Sequence, residues 1–234
     1  KLLDDEAELN ALRTIVAPSL QASRAGSLTL QRMESFKHIA LAMFNYEEAH
    51  KTFPPAASYD AQGRPLLSWR VTILPYLGEG ELGELYNEFR LDEPWDSDHN
   101  RKLIARMPSV YADRSEPALA AAGRTTHQVP VGPGTVFDGP QGTKLRDITD
   151  GASQTILLVE VTAERAVPWT KPEDWEVDFS DPLRGVRRTA GERQGDGFVI
   201  ARCDGSAAYL AGIEPEELAA MLTRSGGETV KAGR

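Results

Sequence analysis

Pro54 and Pro55 divide this 234-residue chain into two kinds of sequence. Before them, residues 28–51 carry Met33, Phe36, Ala40, Met43 and Phe44 at three- and four-residue steps, the spacing of one buried stripe on a helix. Paired prolines cannot continue a helix, because each lacks an N–H and its ring clashes with the preceding turn. The helix is therefore predicted to stop near Thr52, with His50 and Lys51 at the negative end of its dipole and Ser27 as its N-cap. Upstream, Leu9, Leu12, Val16 and Leu20 suggest a further helical stretch, with Pro18 and Gly26 as kinks or breaks.

After the prolines the periodicity is mixed. Trp69, Val71 and Ile73 alternate as in a strand, yet Ser68 can cap a helix in which Trp69, Ile73 and Tyr76-Leu77 share a face. Leu82, Leu85, Tyr86 and Phe89 keep helical spacing, and residues 100–107 read as a short helix ended by Pro108. Strands are expected over residues 129–131, 155–161, 198–202 and 206–210, the last two joined by an Asp204-Gly205 hairpin turn. A closing helix over residues 215–224 has Pro215 in its first turn and Gly226-Gly227 past its end. Residues 163–194, rich in Pro, Asp and Arg and without sustained period, read as a long and mobile loop.

With 41% hydrophobic residues the chain can bury a real core as one domain, residues 28–234, preceded by a helical extension over residues 1–27. The formal charge of −9, with Lys and Arg scattered, argues against a nucleic-acid partner. The single Cys203 excludes an internal disulfide and a multi-cysteine metal site. No apolar run reaches the roughly 20 residues that span a bilayer, although Lys1 is not an initiator Met and leaves room for an upstream signal or anchor.

Several separated blocks carry a resemblance. The stretch Pro65-Leu-Leu-Ser-Trp-Arg-Val-Thr-Ile-Leu-Pro-Tyr-Leu77 places a charged Arg among tryptophan and apolar residues, and Leu91-Asp-Glu-Pro-Trp-Asp-Ser-Asp-His-Asn100 follows it. With Pro18, Gln21, Arg24, Gln31, Lys37, Asn45-Tyr46 and Phe53-Pro-Pro55, these blocks resemble a planctomycete family of prepilin-like proteins of unknown function. The resemblance implies an α+β, pilin-like fold: a long N-terminal helical region packed on an antiparallel sheet, with helical and loop insertions. It also implies a cell-envelope location and protein partners or self-assembly. The family carries a His, nine residues, then Asp-Gly near its C-terminus; here Asp204-Gly205 supplies the pair and Gln194 stands in place of the His. Residues 1–17 are acidic and amphipathic where a pilin carries a membrane-inserting run. Family cysteine positions fall at Arg32 and Asp113, which implies that an ion pair or charge-assisted hydrogen bond replaces a former disulfide.

Candidate chemistry is sparse. None of the four His lies in a triad motif, Cys203 sits in an alternating strand, and Gly132-Pro-Gly134 and Gly139-Pro-Gln-Gly142 lack the Lys and helix start of a phosphate loop. Asp92, Glu93, Asp96, Asp98 and Asn100 offer hard oxygen donors suited to calcium and resemble the Asp-Pro-Trp calcium loop of major pseudopilins, with Glu93 interposed. The alternative is that Asp96 and Asp98 cap the next helix and Trp95 packs in the core. Glu160, Trp169, Lys171, Gln194 and Asp204 form the candidate ligand-binding set for a glycan or small solute, with Trp95 and Trp175 as further aromatic walls. The resemblance to prepilin-like proteins, together with the lack of a positioned nucleophile, base or cofactor motif, implies a non-enzymatic structural or assembly module of the cell envelope as the leading expectation. A ligand-binding module comes second and an enzyme third.

Overall fold

The computed structural model describes residues 2–78, 80–186 and 197–227, with residues 2–22 described by their backbone alone. Helix α1 runs unbroken over Leu2–His50. The expected breaks at Pro18 and Gly26 and the N-cap at Ser27 are corrected by this continuity. An interior Gly costs only about 1 kcal/mol and a Pro about 3, local penalties that do not end a helix flanked by Ala, Leu, Glu and Arg. At its C-terminus Lys51 adopts a φ of 64°. Its N–H donates to the Glu47 carbonyl at 2.6 Å and its Nζ to the Glu48 carbonyl at 2.7 Å, which closes the last turn before the prolines.

The hairpin β1 (Ala57–Tyr59) and β2 (Pro65–Ser68) leads into α2 (Trp69–Thr72) and α3 (Leu74–Leu77). Ser68 caps α2 by accepting the Arg70 N–H, so the helical reading of this stretch holds. Helix α4 (Glu81–Glu88) is followed by 3-10 turns at Asn100–Arg106 and Ser109–Tyr111 and by α5 (Pro117–Ala121). Then come β3 (Arg124–Thr125), β4 (His127–Gln128), β5 (Pro130–Val131), β6 (Ile156–Glu160), β7 (Val167–Pro168), β8 (Trp175–Glu176), β9 (Gly197–Arg202), β10 (Ala207–Ala211) and α6 (Pro215–Leu222).

The central sheet has the order β10-β9-β6-β4, antiparallel throughout. Along β9, Val199 and Ala201 face one side with Phe36, Ile39 and Met43 of α1, while Phe198 and Ile200 face the other with Leu218 and Leu222 of α6. This alternation is the period of two, and burial on both faces explains why the strand reads as a continuous apolar run. In β6 a register shift between Ile156 and Leu158 puts Leu157 and Leu158 on the α1 side together. The protein is therefore of the α+β class: a long helix on one face of an antiparallel sheet.

Turn chemistry fixes the β9–β10 hairpin. Gly205 has a φ of 83°, its N–H donates to the Arg202 carbonyl at 3.0 Å, and the Asp204 carboxylate accepts the Ser206 N–H at 2.9 Å. Two expectations change. The strand expected at 129–131 shortens to β5 at 130–131, and Val129 lies between β4 and β5, because its N–H donates to Asp174 Oδ1 at 3.0 Å instead of joining a ladder. The described part of the loop at 163–194 is also anchored, with Trp169, Asp174 and Trp175 buried under it.

Candidate functional site

Among the described residues, two ion pairs have both side chains buried. Arg32 on α1 donates from Nη1 to Glu160 Oε1 at 2.6 Å, and both side chains are buried. Glu160 Oε2 accepts the Val199 N–H at 3.1 Å, so this carboxylate ties α1, β6 and β9 together. Arg70 on α2 donates from Nη2 to Asp174 Oδ1 at 2.5 Å, from Nε to the His127 carbonyl at 2.9 Å and from Nη1 to Ser68 Oγ at 2.6 Å. Its guanidinium also lies 4.7 Å from the Trp69 ring centroid. Asp174 Oδ1 accepts from Trp69 Nε1 and Val129 N–H as well. Burial pushes the Asp174 carboxyl up to about 6, against the downward pull of Arg70, the Val129 N–H and Trp69.

His127 sits between the pairs, opposite Glu160 in the β4–β6 register. The Thr125 hydroxyl donates its one proton to the Tyr111 carbonyl at 2.7 Å, so its 3.3 Å contact with His127 Nδ1 requires the imidazole to be the donor. The Nε2 lone pair then has no hydrogen-bond partner among the described residues. Burial, opposed by Asp113 and reinforced by Arg70 and Arg32, lowers the His127 pKa to about 4. The ring is neutral at pH 7 and packs 4.8 Å from Phe36.

The candidate ligand-binding residues are not brought together. Glu160 is engaged with Arg32. Trp169 is fully buried, donates Nε1 to the Ile104 carbonyl at 3.0 Å and stacks on Tyr111 at 5.9 Å. Lys171 lies at the surface, paired with Glu173 and 5.7 Å from the Trp95 ring centroid. Asp204 belongs to the hairpin turn, and Gln194 lies outside the described residues. Trp175 is buried, with its Nε1 on the Arg184 carbonyl.

In the acidic loop, Asn100 is buried; its Oδ1 accepts the Arg90 N–H at 3.0 Å and its Nδ2 donates to the carbonyls of Arg90, Glu93 and Pro94. Asp98 pairs with Arg101 at the surface, and Asp92 and Asp96 are exposed. Among the described residues, no group of three or more His, Cys, Asp or Glu is placed to hold a metal ion. Arg32 and Asp113 are both buried beside His127. Arg32 has Glu160 as its ion-pair partner, and Asp113 Oδ1 accepts from the Ser115 N–H and hydroxyl at 2.9 and 2.5 Å. Burial pushes the Cys203 thiol far up, which keeps it out of nucleophilic chemistry at neutral pH.

Among the described residues, two concave surfaces stand out. A groove of about 1020 Å³ runs along the outward face of α1, between Leu30, Glu34 and Leu41 on one side and Leu82, Arg106 and Arg114 on the other. Leu30 and Leu41 are 64% and 56% exposed there. A smaller cleft of about 290 Å³ lies where β3 and β7 meet the loop after Trp169, with Arg124, Gln128, Arg165, Lys171 and Asp174 in its walls. Sequence reading missed Arg124, His127, Arg165 and Asp174, which sit in short or aperiodic segments, whereas Arg70 stood out as a charge among apolar neighbours and Arg32 and Glu160 were singled out on other grounds.

Residues 30–133 match the model of a family described as a protein of unknown function (DUF1559). This places the similarity in an uncharacterised family and covers α1 from Leu30 through the first strands. No curated protein and no solved structure matches the chain.

Proposed function

We propose that the chain is a non-enzymatic structural or assembly module of the cell envelope, similar in role to pilin and pseudopilin globular domains. The observation that carries this reading is the contrast around α1: its inward charges are engaged in the fold, while Leu30 and Leu41 stand exposed beside a long open groove. A second copy of this chain is the occupant. Residues 2–22 are helical, and in the sequence Leu9, Leu12, Val16 and Leu20 recur at helical spacing after the acidic run Asp4, Asp5, Glu6 and Glu8, chemistry that complements a groove presenting leucines with Arg106 and Arg114. A helix of one copy laid in the groove of the next is a heterologous contact, which builds rings or filaments. No described helix is long and apolar enough to cross a membrane.

The buried Cys203 leaves an introduced thiol as the reactive one. Chains carrying Leu30→Cys mixed with chains carrying Leu12→Cys should give a bismaleimide-linked heterodimer, and absence of that product at high concentration counts against the arrangement. Hydrolase and glycosidase screens should be negative. Turnover abolished by Glu160→Gln or Asp204→Asn would contradict the non-enzymatic reading.

A further inference from the structure

We propose that the cleft between β3, β7 and the loop after Trp169 binds a small hydroxycarboxylate carrying one negative charge, a property separate from assembly. Asp174 is neutralised by Arg70 at 2.5 Å and Lys171 is paired with Glu173, whereas Arg124 and Arg165 have no ion-pair partner among the described residues. Both residues line one concave site, which also holds the carboxylate of Glu164, and the planar fork of a guanidinium matches a carboxylate.

Both are held in place. Arg124 Nη2 donates to the Ala166 carbonyl, while its Nε is buried without a partner. Arg165 lies flat on Gly185, where a Cβ would come within 2.0 Å of its Nε; Gly185 has a φ of 92°, so both space and backbone favour glycine. Arg165 also presents its carbonyl to Gln128 Nε2 at 2.7 Å. That bond orients the buried Gln128 and leaves its Oε1 without a donor among the described residues, ready to accept from a ligand hydroxyl.

Size and sign narrow the ligand. A volume of about 290 Å³ holds a solute of sugar-acid size, since it corresponds to about ten waters at ~30 Å³ each. The carboxylates of Glu164 and Glu173 on the walls disfavour a second negative charge, which sets a monoanion above a phosphate dianion. Hydroxyls neighbouring the carboxylate satisfy Gln128.

Isothermal titration of the purified chain with gluconate, glucuronate, glucose and inorganic phosphate tests the proposal. Gluconate or glucuronate should bind, glucose should not, and phosphate should bind more weakly than the better carboxylate. Arg165→Gln should weaken carboxylate binding about tenfold or more, the scale of a lost charge-assisted hydrogen bond. The exposed Arg165 side chain makes this variant fold-neutral, checked by an unchanged melting temperature, and Arg124→Gln should act in the same direction. Binding of neither carboxylate, equal binding of glucose, tighter binding of phosphate, or an unchanged constant in Arg165→Gln would each overturn the assignment.

Discussion

The inward and outward faces of α1 use the same helix for opposite ends. Inward, Arg32, Phe36, Ile39, Ala40 and Met43 are buried and meet the sheet through one ion pair and a dry apolar seam. Outward, Leu30, Glu34, Lys37 and Leu41 border an open groove, and the Lys37–Glu34 pair there is solvent-exposed. A charge on the inward face is held by fixed partners in low dielectric, where losing one partner strands the other. A charge on the outward face is screened by water and contributes little to folding. The inward face therefore determines stability and the outward face is free to determine association.

The largest expected effect breaks the inward side. Glu160→Ala strands the Arg32 guanidinium and the Val199 N–H, and should destabilise by about 3–5 kcal/mol in urea unfolding. Replacing both partners, Arg32→Met with Glu160→Leu, should cost far less than the single change, because no buried charge is stranded. A double variant as unstable as Glu160→Ala would show that the pair itself, not the stranded charge, sets the loss.

Next in size is proton linkage at His127. Its folded pKa of about 4 lies below the ordinary 6.5, so between these values the unfolded chain binds more protons and stability falls as pH drops. Relative to His127→Gln, the wild type should lose about 3 kcal/mol between pH 7 and pH 4, at 1.36 kcal/mol per pKa unit. Asp174 opposes this: its folded pKa of about 6 lies above 3.8, so across that window its contribution grows as pH falls. Wild-type stability should vary gently with acid, and Asp174→Asn should steepen the acid loss. Parallel pH curves for wild type and His127→Gln would contradict a buried neutral imidazole.

A smaller effect separates the faces from the hairpin. Asp204→Ala removes the acceptor of the Ser206 N–H at the exposed turn and should cost about 1 kcal/mol, with no change in association.

How much of this was legible in the sequence follows from the range of the interactions. The α1 stripe, the Ser68 cap and the Asp204-Gly205 turn are local patterns, and each appears where spacing and turn chemistry put it. The continuity of α1 was not legible, because Gly26 and Pro18 carry local penalties that the flanking helix outweighs. Asp174 was not legible as the partner of Arg70, since 104 positions separate them and nothing periodic marks a lone Asp in a loop. Trp169 and Glu160 were singled out as candidate ligand-binding residues, but both are buried in the interior, and the cleft at Lys171 is walled by Arg124, Gln128 and Arg165.

Sedimentation velocity across a concentration series, comparing the wild type with Leu30→Glu/Leu41→Glu, tests the assembly reading most directly. Both positions are exposed, so each charge should alter stability by no more than about 0.5 kcal/mol and leave the melting temperature near that of the wild type. The account predicts a wild type whose sedimentation coefficient rises with concentration and a variant that stays monomeric. A wild type that is monomeric throughout, or a variant that associates as the wild type does, would contradict it.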